Sequence, residues 1–219
     1  MTYKACLFDL DGVLVDTAIY HFQAWKNLGT MFGYSLTEEQ NEQLKGVSRV
    51  ESLNRILVWA NYSATEKEKS TWLIEKNENY LDLISNMNPS EILPGVLDFL
   101  QQIKQAGYKI ALGSASKNAE IILTKTGLIE WFDLIIDGNK VAKSKPDPEV
   151  FLKGASGLGF LPTECIVFED AQAGVEAAKA GNMRAIGIGD AEMLGQADKV
   201  IPNFVGIQAS ELLQFQETH

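Results

Sequence analysis

The sequence predicts an α/β fold in which a doubly wound parallel sheet, of the Rossmann-like kind, is interrupted by an inserted α-helical domain. Beyond residue 94, short apolar runs alternate with helical segments, as expected for a parallel sheet with helices on both faces. Between residues 15 and 87 the pattern is helical and no convincing strand is present. A length of 219 residues with 46% hydrophobic content supports a sizeable buried core.

The first predicted strand is the apolar run at residues 5–8, which leads into Asp9 and Asp11. The later predicted strands lie at 109–113, 133–136, 165–168, 184–188 and 199–201, with helices between them that include 95–105 and 171–180. Glycine tolerates a positive φ, so three glycines are expected to end helices, namely Gly107, Gly127 and Gly181. We therefore expect an α/β core of residues 1–14 and 89–219 and a helical domain of residues 15–88.

Composition excludes several classes of partner. A net charge of -10 and a pI near 4.7 argue against general binding to nucleic acids or anionic membranes. Cys6 and Cys165 each lie in an apolar run, which favours core packing over a disulfide or a metal pair. No basic and apolar leader opens the chain and no apolar stretch approaches membrane-spanning length, so a cytoplasmic enzyme is expected.

The acidic pair after the first strand is the strongest chemical signal. Ligands collect at the carboxyl ends of parallel strands, and alternate residues of an extended chain face the same way, so Asp9 and Asp11 should share one site. Two adjacent carboxylates favour unlike protonation states unless a cation intervenes, which suits a nucleophile and an acid. The alternative is a solvated turn. An EF-hand loop does not fit, because Val13 and Leu14 stand where it needs an oxygen ligand and a glycine.

Three further strand ends carry polar groups. The second predicted strand leads into hydroxyls and backbone amides suited to phosphate oxygens, at Ser114, Ala115, Ser116, Lys117 and Asn118. Ser116 taken alone is more typical of a helix cap. Lys145 precedes a proline-initiated helix and could neutralise phosphate charge, or it could be an ordinary solvated lysine. Glu169 and Asp170 end a buried strand, where adjacent acids favour a Mg²⁺ site shared with Asp9.

In this order, the residues resemble the motifs of the haloacid dehalogenase superfamily of phosphoryl-transfer enzymes. The resemblance implies that Asp9 is the nucleophile and Asp11 the general acid and base, while Ser114 and Lys145 neutralise the transferred phosphoryl group. It implies one Mg²⁺ per chain, held by Asp9, the backbone carbonyl of Asp11, Glu169 and Asp170. It also implies that residues 15–88 form a cap that closes over the core, hinged near residues 15 and 87–89.

Two stretches of the helical domain, residues 16–25 and 41–49 with the nearby Ser52, are similar to the sugar phosphomutases of that superfamily. Through this resemblance Thr17 and His21 join the catalytic set. The implied substrate-binding set comprises Asp11, Trp25, Lys45, Gly46, Val47, Arg49, Ser52, Lys76, Ser114, Ala115, Ser116, Lys117 and Asn118. The chemistry agrees at Arg49, whose guanidinium offers a bidentate fork for a phosphate.

Two of these residues have a simpler interpretation. Lys76 lies in line with Trp72 and Tyr80 at helical spacing, so its stem could pack on apolar neighbours while its ammonium reaches water. His21 falls on an apolar helical stripe with Trp25, and a lone histidine there is more often a core residue.

The implied reaction interconverts β-D-glucose 1-phosphate and glucose 6-phosphate through an aspartyl phosphate, with glucose 1,6-bisphosphate as primer and intermediate. A sugar-phosphate phosphatase of the same superfamily is the alternative, and a non-catalytic binding module is a more distant one. A dehalogenase fits less well because it needs neither acidic residues that bind Mg²⁺ nor a site for a second, distant phosphate group. The expected partner is a small sugar phosphate, and a monomer is expected because the cap is internal to the chain.

Overall fold

The computed structural model describes residues 3–213, so residues 1–2 and 214–219 of the predicted core lie outside the described part. Six parallel strands form one sheet in the order β3-β2-β1-β4-β5-β6, which confirms the predicted doubly wound architecture. The strands are β1 Ala5–Phe8, β2 Lys109–Gly113, β3 Leu134–Ile136, β4 Cys165–Glu169, β5 Arg184–Ile188 and β6 Lys199–Ile201. Since β1 is central and pairs with β2 and β4, their polar carboxyl ends meet at one edge of the sheet.

Nine α-helices accompany the sheet among the described residues. Four lie within residues 15–88: α1 Ala18–Thr30, α2 Glu38–Glu42, α3 Arg49–Trp59 and α4 Glu66–Leu83. The others are α5 Val96–Gln105, α6 Ala119–Thr126, α7 Glu149–Leu158, α8 Gln172–Ala180 and α9 Ala209–Leu213. Short 3₁₀ turns occupy Ile84–Asn86, Pro89–Glu91, Ile129–Trp131 and Pro162–Glu164. Within residues 3–213, no helix has the length and apolar character needed to span a bilayer.

The strand boundaries agree with the sequence prediction to within one residue. The one-residue shift at β3 has a local cause, because the Asp133 carboxylate accepts hydrogen bonds from the Lys109 ammonium and from the backbone N–H of Ile110. This side chain anchors the start of β3 to the neighbouring strand, and the ladder begins at Leu134.

All three glycines lie where helices end, as predicted, but only two of them take a positive φ. Gly107 and Gly127 have φ values of 83° and 76°, as expected. Helix α8 does end at Gly181, as predicted, although the φ of Gly181 is -81° and the left-handed residue is Asn182, with a φ of 57°. Asparagine tolerates the left-handed conformation better than most side chains do, so the positive φ at this helix end can lie at Asn182.

Separate apolar clusters cover the two faces of the sheet. Side chains alternate along β1, so Phe8 packs with Phe99 and Phe168 on one face while Leu7 packs with Phe151 on the other. Burial of each such side chain stabilises the fold by roughly 1.5–3 kcal/mol. Cys6 and Cys165 are free and buried in these clusters, which confirms that they are core residues.

Helices α1, α3 and α4 share an apolar cluster of their own. Trp25 and Leu28 of α1 pack with Trp72 of α4, and α3 contributes Ile56. Capping fixes where the helices begin: Ser48 accepts a hydrogen bond from the N–H of Glu51 at the start of α3, and α4 begins with a capping box at Thr65. These helices therefore hold their side chains in defined positions opposite the sheet edge.

Candidate active site

A cavity of about 560 Å³ lies between the carboxyl edge of the sheet and the helices α1 to α4. This volume is in the range that accommodates a small organic ligand. The predicted site residues that line it are Asp9, Asp11, His21, Trp25, Lys45, Gly46, Val47, Arg49, Ser52, Lys76, Ser114, Ala115, Ser116, Lys117, Asn118, Lys145 and Asp170. Thr17 and Glu169 lie behind this lining, in contact with Asp11 and Lys145 respectively.

Lys145 forms the centre of a buried charge cluster. Its ammonium lies 2.6 Å from Asp9 Oδ1 and also donates to Glu169 Oε1, and all three side chains are buried. Burial by itself would lower the pKa of Lys145, but Asp9 and Glu169 outweigh it and raise that pKa above its usual value. Lys145 is therefore charged, and the solvated-lysine alternative is wrong.

The cluster contains more carboxylate groups than cationic groups. One oxygen each from Asp9, Glu169 and Asp170 lies within 4.8 Å of the others. Burial raises the pKa of Asp170 well above its usual value, and the charges of Glu169 and Asp9 raise it further. Such an all-oxygen, anionic group fits a hard cation such as Mg²⁺, which would relieve the repulsion. These three residues could hold the metal.

Gly12 leaves room for the Asp170 carboxylate to join the cluster. Gly12 has a φ of 76°, and a Cβ there would overlap the Asp170 carboxylate. Both the backbone conformation and the close approach of Asp170 therefore require glycine at residue 12.

Asp11 differs from Asp9 in its surroundings. Its backbone N–H donates to Asp9 Oδ2 at 3.1 Å, and its own carboxylate accepts a hydrogen bond from the Thr17 hydroxyl. Desolvation and the charge of Asp9 raise the pKa of Asp11 to about 6, although Thr17 opposes the shift. A carboxyl group with this pKa can exchange a proton near neutral pH, whereas Asp9 is paired with Lys145.

The loop after β2 turns its polar groups toward the same cavity. The hydroxyl of buried Ser114 accepts the N–H of Ser116 at 3.1 Å, and the Ser116 hydroxyl accepts the N–H of Asn118 at 3.3 Å. These bonds shape the entry to α6, which begins at Ala119. Ser116 lines the cavity. It does not cap α6 as its simpler interpretation predicts, because the N-cap residue of this helix is Asn118 and no side chain of the described residues makes a cap hydrogen bond there.

Cations line the opposite, helical side. Arg49 is the first residue of α3, and within residues 3–213 its guanidinium has neither a hydrogen-bond acceptor nor a carboxylate partner. Lys76 of α4 is only 2% exposed, which excludes the solvated-ammonium alternative. Its ammonium lies 2.9 Å from His21 Nδ1 and over the rings of Trp25 and Tyr80, at 4.6 and 4.7 Å from their centroids.

Proximity of the cations changes their protonation. Burial and the nearby Arg49 lower the pKa of Lys76 to about 7, although the negative charge of Asp11 acts in the opposite direction and raises this pKa. Burial, Lys76 and Arg49 lower the pKa of His21 well below its usual value, so the imidazole is neutral and its Nδ1 accepts from Lys76. A dianionic ligand would relieve this excess of positive charge, so the helical side fits a phosphate group.

The tyrosine behind these cations carries a buried hydroxyl. Tyr80 stacks on His21 with a centroid separation of 4.1 Å. Burial and Asp11 raise the pKa of Tyr80 well above its usual value, while Thr17 lowers it. Thr17 is thus near the hydroxyl, yet no partner in the described part of the chain meets hydrogen-bond geometry with it.

The helical and sheet sides also meet directly. Lys45 Nζ lies 3.9 Å from Asp170 Oδ2, which brings the segment after α2 to the acidic cluster. Gly46 has a φ of 72°, and a Cβ there would lie 3.1 Å from that of Ala171 at the start of α8. The smallest side chain at residue 46 permits this close approach.

Sequence reasoning missed several residues of the cavity wall. Asn41 lines it from α2, four residues before Lys45. The segment 141–144 also contributes, but its composition carries no motif that would indicate a binding site. Asn77, next to Lys76, contacts Asn118 from the helical side and was missed as well.

Comparison with known proteins gives a consistent result. Residues 3–182 match the haloacid dehalogenase-like hydrolase family. A β-phosphoglucomutase from Bacillus subtilis is 42% identical over 200 residues, covering 90% of this chain and 88% of that protein. A phosphorylated carbohydrates phosphatase from Thermotoga maritima is 31% identical over 186 residues, covering 84% of this chain and 83% of that protein. The crystal structure of a β-phosphoglucomutase from Clostridium difficile superimposes with a TM-score of 0.93 at 42% identity, covering 97% and 96% of the two chains.

Proposed function

The chain belongs to the haloacid dehalogenase-like hydrolase family, and we propose that it works as a β-phosphoglucomutase. The enzyme interconverts β-D-glucose 1-phosphate and glucose 6-phosphate. Support comes from 42% identity over 90% of the chain to a β-phosphoglucomutase. The observation that carries the proposal is a single cavity with two phosphate-compatible ends, one at Asp9 and Lys145 and the other at Arg49 and Lys76.

Two ends are what a mutase requires. The bisphosphate intermediate must be held by one phosphate while the other reacts, and then held in the reverse orientation. Arg49, Ser116 and Asn118 form the proposed clamp for the phosphate that does not react, together with the other members of the substrate-binding set. A phosphatase that passes the phosphoryl group to water does not need to bind its substrate in two opposite orientations.

In the proposed chemistry, an Asp9 carboxylate oxygen attacks phosphorus of glucose 1,6-bisphosphate, and the bond from phosphorus to the sugar oxygen breaks. Asp11 protonates that leaving oxygen, and Asp9 is left as an aspartyl phosphate. The 6-hydroxyl of β-glucose 1-phosphate then gives its proton to Asp11 and attacks the phosphoryl group, which releases Asp9. The resulting bisphosphate turns over and returns its 1-phosphoryl group to Asp9, so that glucose 6-phosphate is the product.

Charge at the reacting phosphorus is balanced by nearby residues. Lys145 and Ser114 neutralise and bind the equatorial oxygens. When bound, Mg²⁺ supplies further positive charge there, and it would be held by Asp9, Glu169, Asp170 and the Asp11 backbone carbonyl. Thr17 holds the Asp11 carboxylate in place, and His21 holds the Lys76 ammonium.

We assign residues 15–88 to a cap domain whose closure excludes water from the aspartyl phosphate. The two connections to the core lie side by side, because Val15 forms isolated bridges with Asp11 and Ile92. This adjacency supports a hinge near residues 15 and 87–89. We also propose a monomer of the reducing cytoplasm, consistent with the free buried cysteines and a cavity covered by helices of the same chain.

An anomer-specific assay tests the function. With Mg²⁺ and a catalytic amount of glucose 1,6-bisphosphate, β-glucose 1-phosphate should yield an equal amount of glucose 6-phosphate, and the α anomer serves as the control. Release of free phosphate as fast as the substrate disappears would instead support a phosphatase, the activity named for the Thermotoga maritima relative.

A further inference from the structure

One hydrogen bond between the helical insertion and the sheet side of the cavity involves a residue outside the proposed machinery. The side-chain nitrogen of Asn118 donates to the side-chain oxygen of Asn77 at 2.9 Å. Asn118 follows β2 and precedes α6, while Asn77 lies in α4 directly after Lys76. Asn118 lines the cavity and Asn77 lies behind it, half-buried.

The chemistry of a primary amide gives this bond a consequence. An amide NH₂ group has two N–H donors. Asn77 accepts one of them, and within residues 3–213 no second acceptor takes the other. The bond fixes the orientation of the Asn118 amide, so that a donor, rather than the carbonyl oxygen, remains for an anion in the cavity.

The location of the bond links this orientation to the helical insertion. Asn77 belongs to a helix between β1 and β2, whereas Asn118 belongs to the loop beyond β2. The contact exists only when α4 lies against that loop, so the amide is oriented when the cavity is covered. Another bond between these regions, from Lys125 to the Ser85 carbonyl, lies outside the cavity wall.

We propose that Asn77 is a positioning residue for the phosphate that does not react: it orients the Asn118 amide toward that phosphate and couples this orientation to closure of the helices over the cavity. The inference rests on the proposed function, because it takes Asn118 as part of the phosphate clamp. Asn77 itself touches neither the substrate nor the reacting atoms.

A double-mutant cycle tests the coupling. Binding of glucose 6-phosphate is measured by calorimetry for the wild type, Asn77→Ala, Asn118→Ala and the double variant. Loss of one oriented hydrogen bond should raise Kd about 3- to 10-fold in Asn77→Ala. The double variant should bind no more weakly than Asn118→Ala, since Asn77 acts through Asn118. If Asn77→Ala binds as the wild type does, or if the two fold-changes multiply, the proposal is wrong.

Two controls separate positioning from folding. Asn79→Ala alters the same helix, but Asn79 accepts its hydrogen bond from Asn27 within the insertion, so Kd should not change. Phosphorylation of Asp9 by acetyl phosphate needs no distant clamp, so its rate in Asn77→Ala should match the wild type. A loss there, or a similar loss in Asn79→Ala, would indicate a general structural defect and overturn the positioning assignment.

The binding measurements also distinguish this inference from the proposed function. A wild-type protein that binds glucose 6-phosphate with the expected coupling, yet releases free phosphate instead of isomerising the sugar, would retain Asn77 and refute the mutase. A wild-type protein that isomerises glucose phosphate but has uncoupled Asn77 and Asn118 would retain the mutase and refute this inference.

Discussion

At the sheet edge, Lys145 lies between the carboxylates of Asp9 and Glu169, whereas across the cavity Arg49 has no carboxylate partner among residues 3–213. The sheet side therefore has its cation paired and an excess of acid. The helical side holds its lysine against a neutral imidazole and aromatic faces. The sheet side would be completed by a metal cation and the helical side by an anion. This difference suggests that one side performs the chemistry and the other grips the substrate.

The largest expected effect is at the sheet side. Asp9→Asn removes the proposed nucleophile, so mutase turnover should fall by on the order of 10³-fold or more. Glucose 6-phosphate should still bind with a Kd within about threefold of the wild type, because the helical cations remain. A coupled assay and calorimetry measure the two quantities. Asp98→Asn, in the exposed first turn of α5, is the matched control. Parallel losses of turnover and affinity would contradict the division between the two sides.

Arg49→Ala tests the helical side. Turnover of sugar phosphate should fall by about 10²-fold, because one bidentate, charge-assisted contact to the clamped phosphate is lost. Phosphorylation of Asp9 by acetyl phosphate, which has no second phosphate, should change little. Arg55→Ala is a control on the same helix, since that guanidinium already binds Glu51 and the Gln43 carbonyl. Equal losses in both reactions would remove Arg49 from the clamp.

These two sides were not equally predictable from sequence. The sheet side follows from local signals: apolar runs define the strands, and in a parallel sheet their carboxyl ends meet, which brings Asp9, Lys145 and Asp170 together. Burial of Lys76 and the contact of Asn77 with Asn118 depend on how separate helices pack against one another and against the loop after β2. Helical spacing alone allowed Lys76 to reach water, so only the resemblance to a known family favoured a site.

The pH dependence of binding should separate the contribution of Lys76 from that of Arg49. Lys76 has a pKa of about 7, so it loses its charge as the pH rises above that value, whereas Arg49 stays charged. A phosphate group is already dianionic above about pH 6. Glucose 6-phosphate should therefore bind on the order of tenfold more weakly at about pH 8.5 than at pH 7, since binding requires the protonated lysine.

Calorimetry across this range measures the effect, with Lys76→Met as the comparison. The variant should bind weakly at both pH values and show a nearly flat profile. His21 stays neutral over the range, and Asp11, with a pKa of about 6, titrates below it. A steep profile that persists in Lys76→Met would assign the titration to another group.

The smallest expected effect is at Tyr80, whose ring contacts the Lys76 ammonium on the helical side, where no carboxylate of the described residues pairs with this lysine. The Tyr80 ring lies 4.7 Å from the Lys76 ammonium and stacks on His21, while its buried hydroxyl has no hydrogen-bond partner within residues 3–213. If the aromatic ring faces stabilise the Lys76 ammonium in place of a carboxylate, the Tyr80 hydroxyl is not needed for this contact. Tyr80→Phe should then change turnover by less than about twofold and leave the free energy of unfolding within about 1 kcal/mol of the wild type.

Removing the ring should have the larger consequence of the two substitutions at this residue. Tyr80→Leu deletes the cation–π contact, worth about 0.5–2 kcal/mol, and the stacking on His21, so glucose 6-phosphate binding should weaken by roughly 3- to 10-fold. Denaturant unfolding and calorimetry compare the two variants. A loss of turnover in Tyr80→Phe as large as that in Tyr80→Leu would mean that the hydroxyl, which both variants lack, acts on Thr17 and Asp11. The helical side would then take part in the chemistry rather than only in the grip.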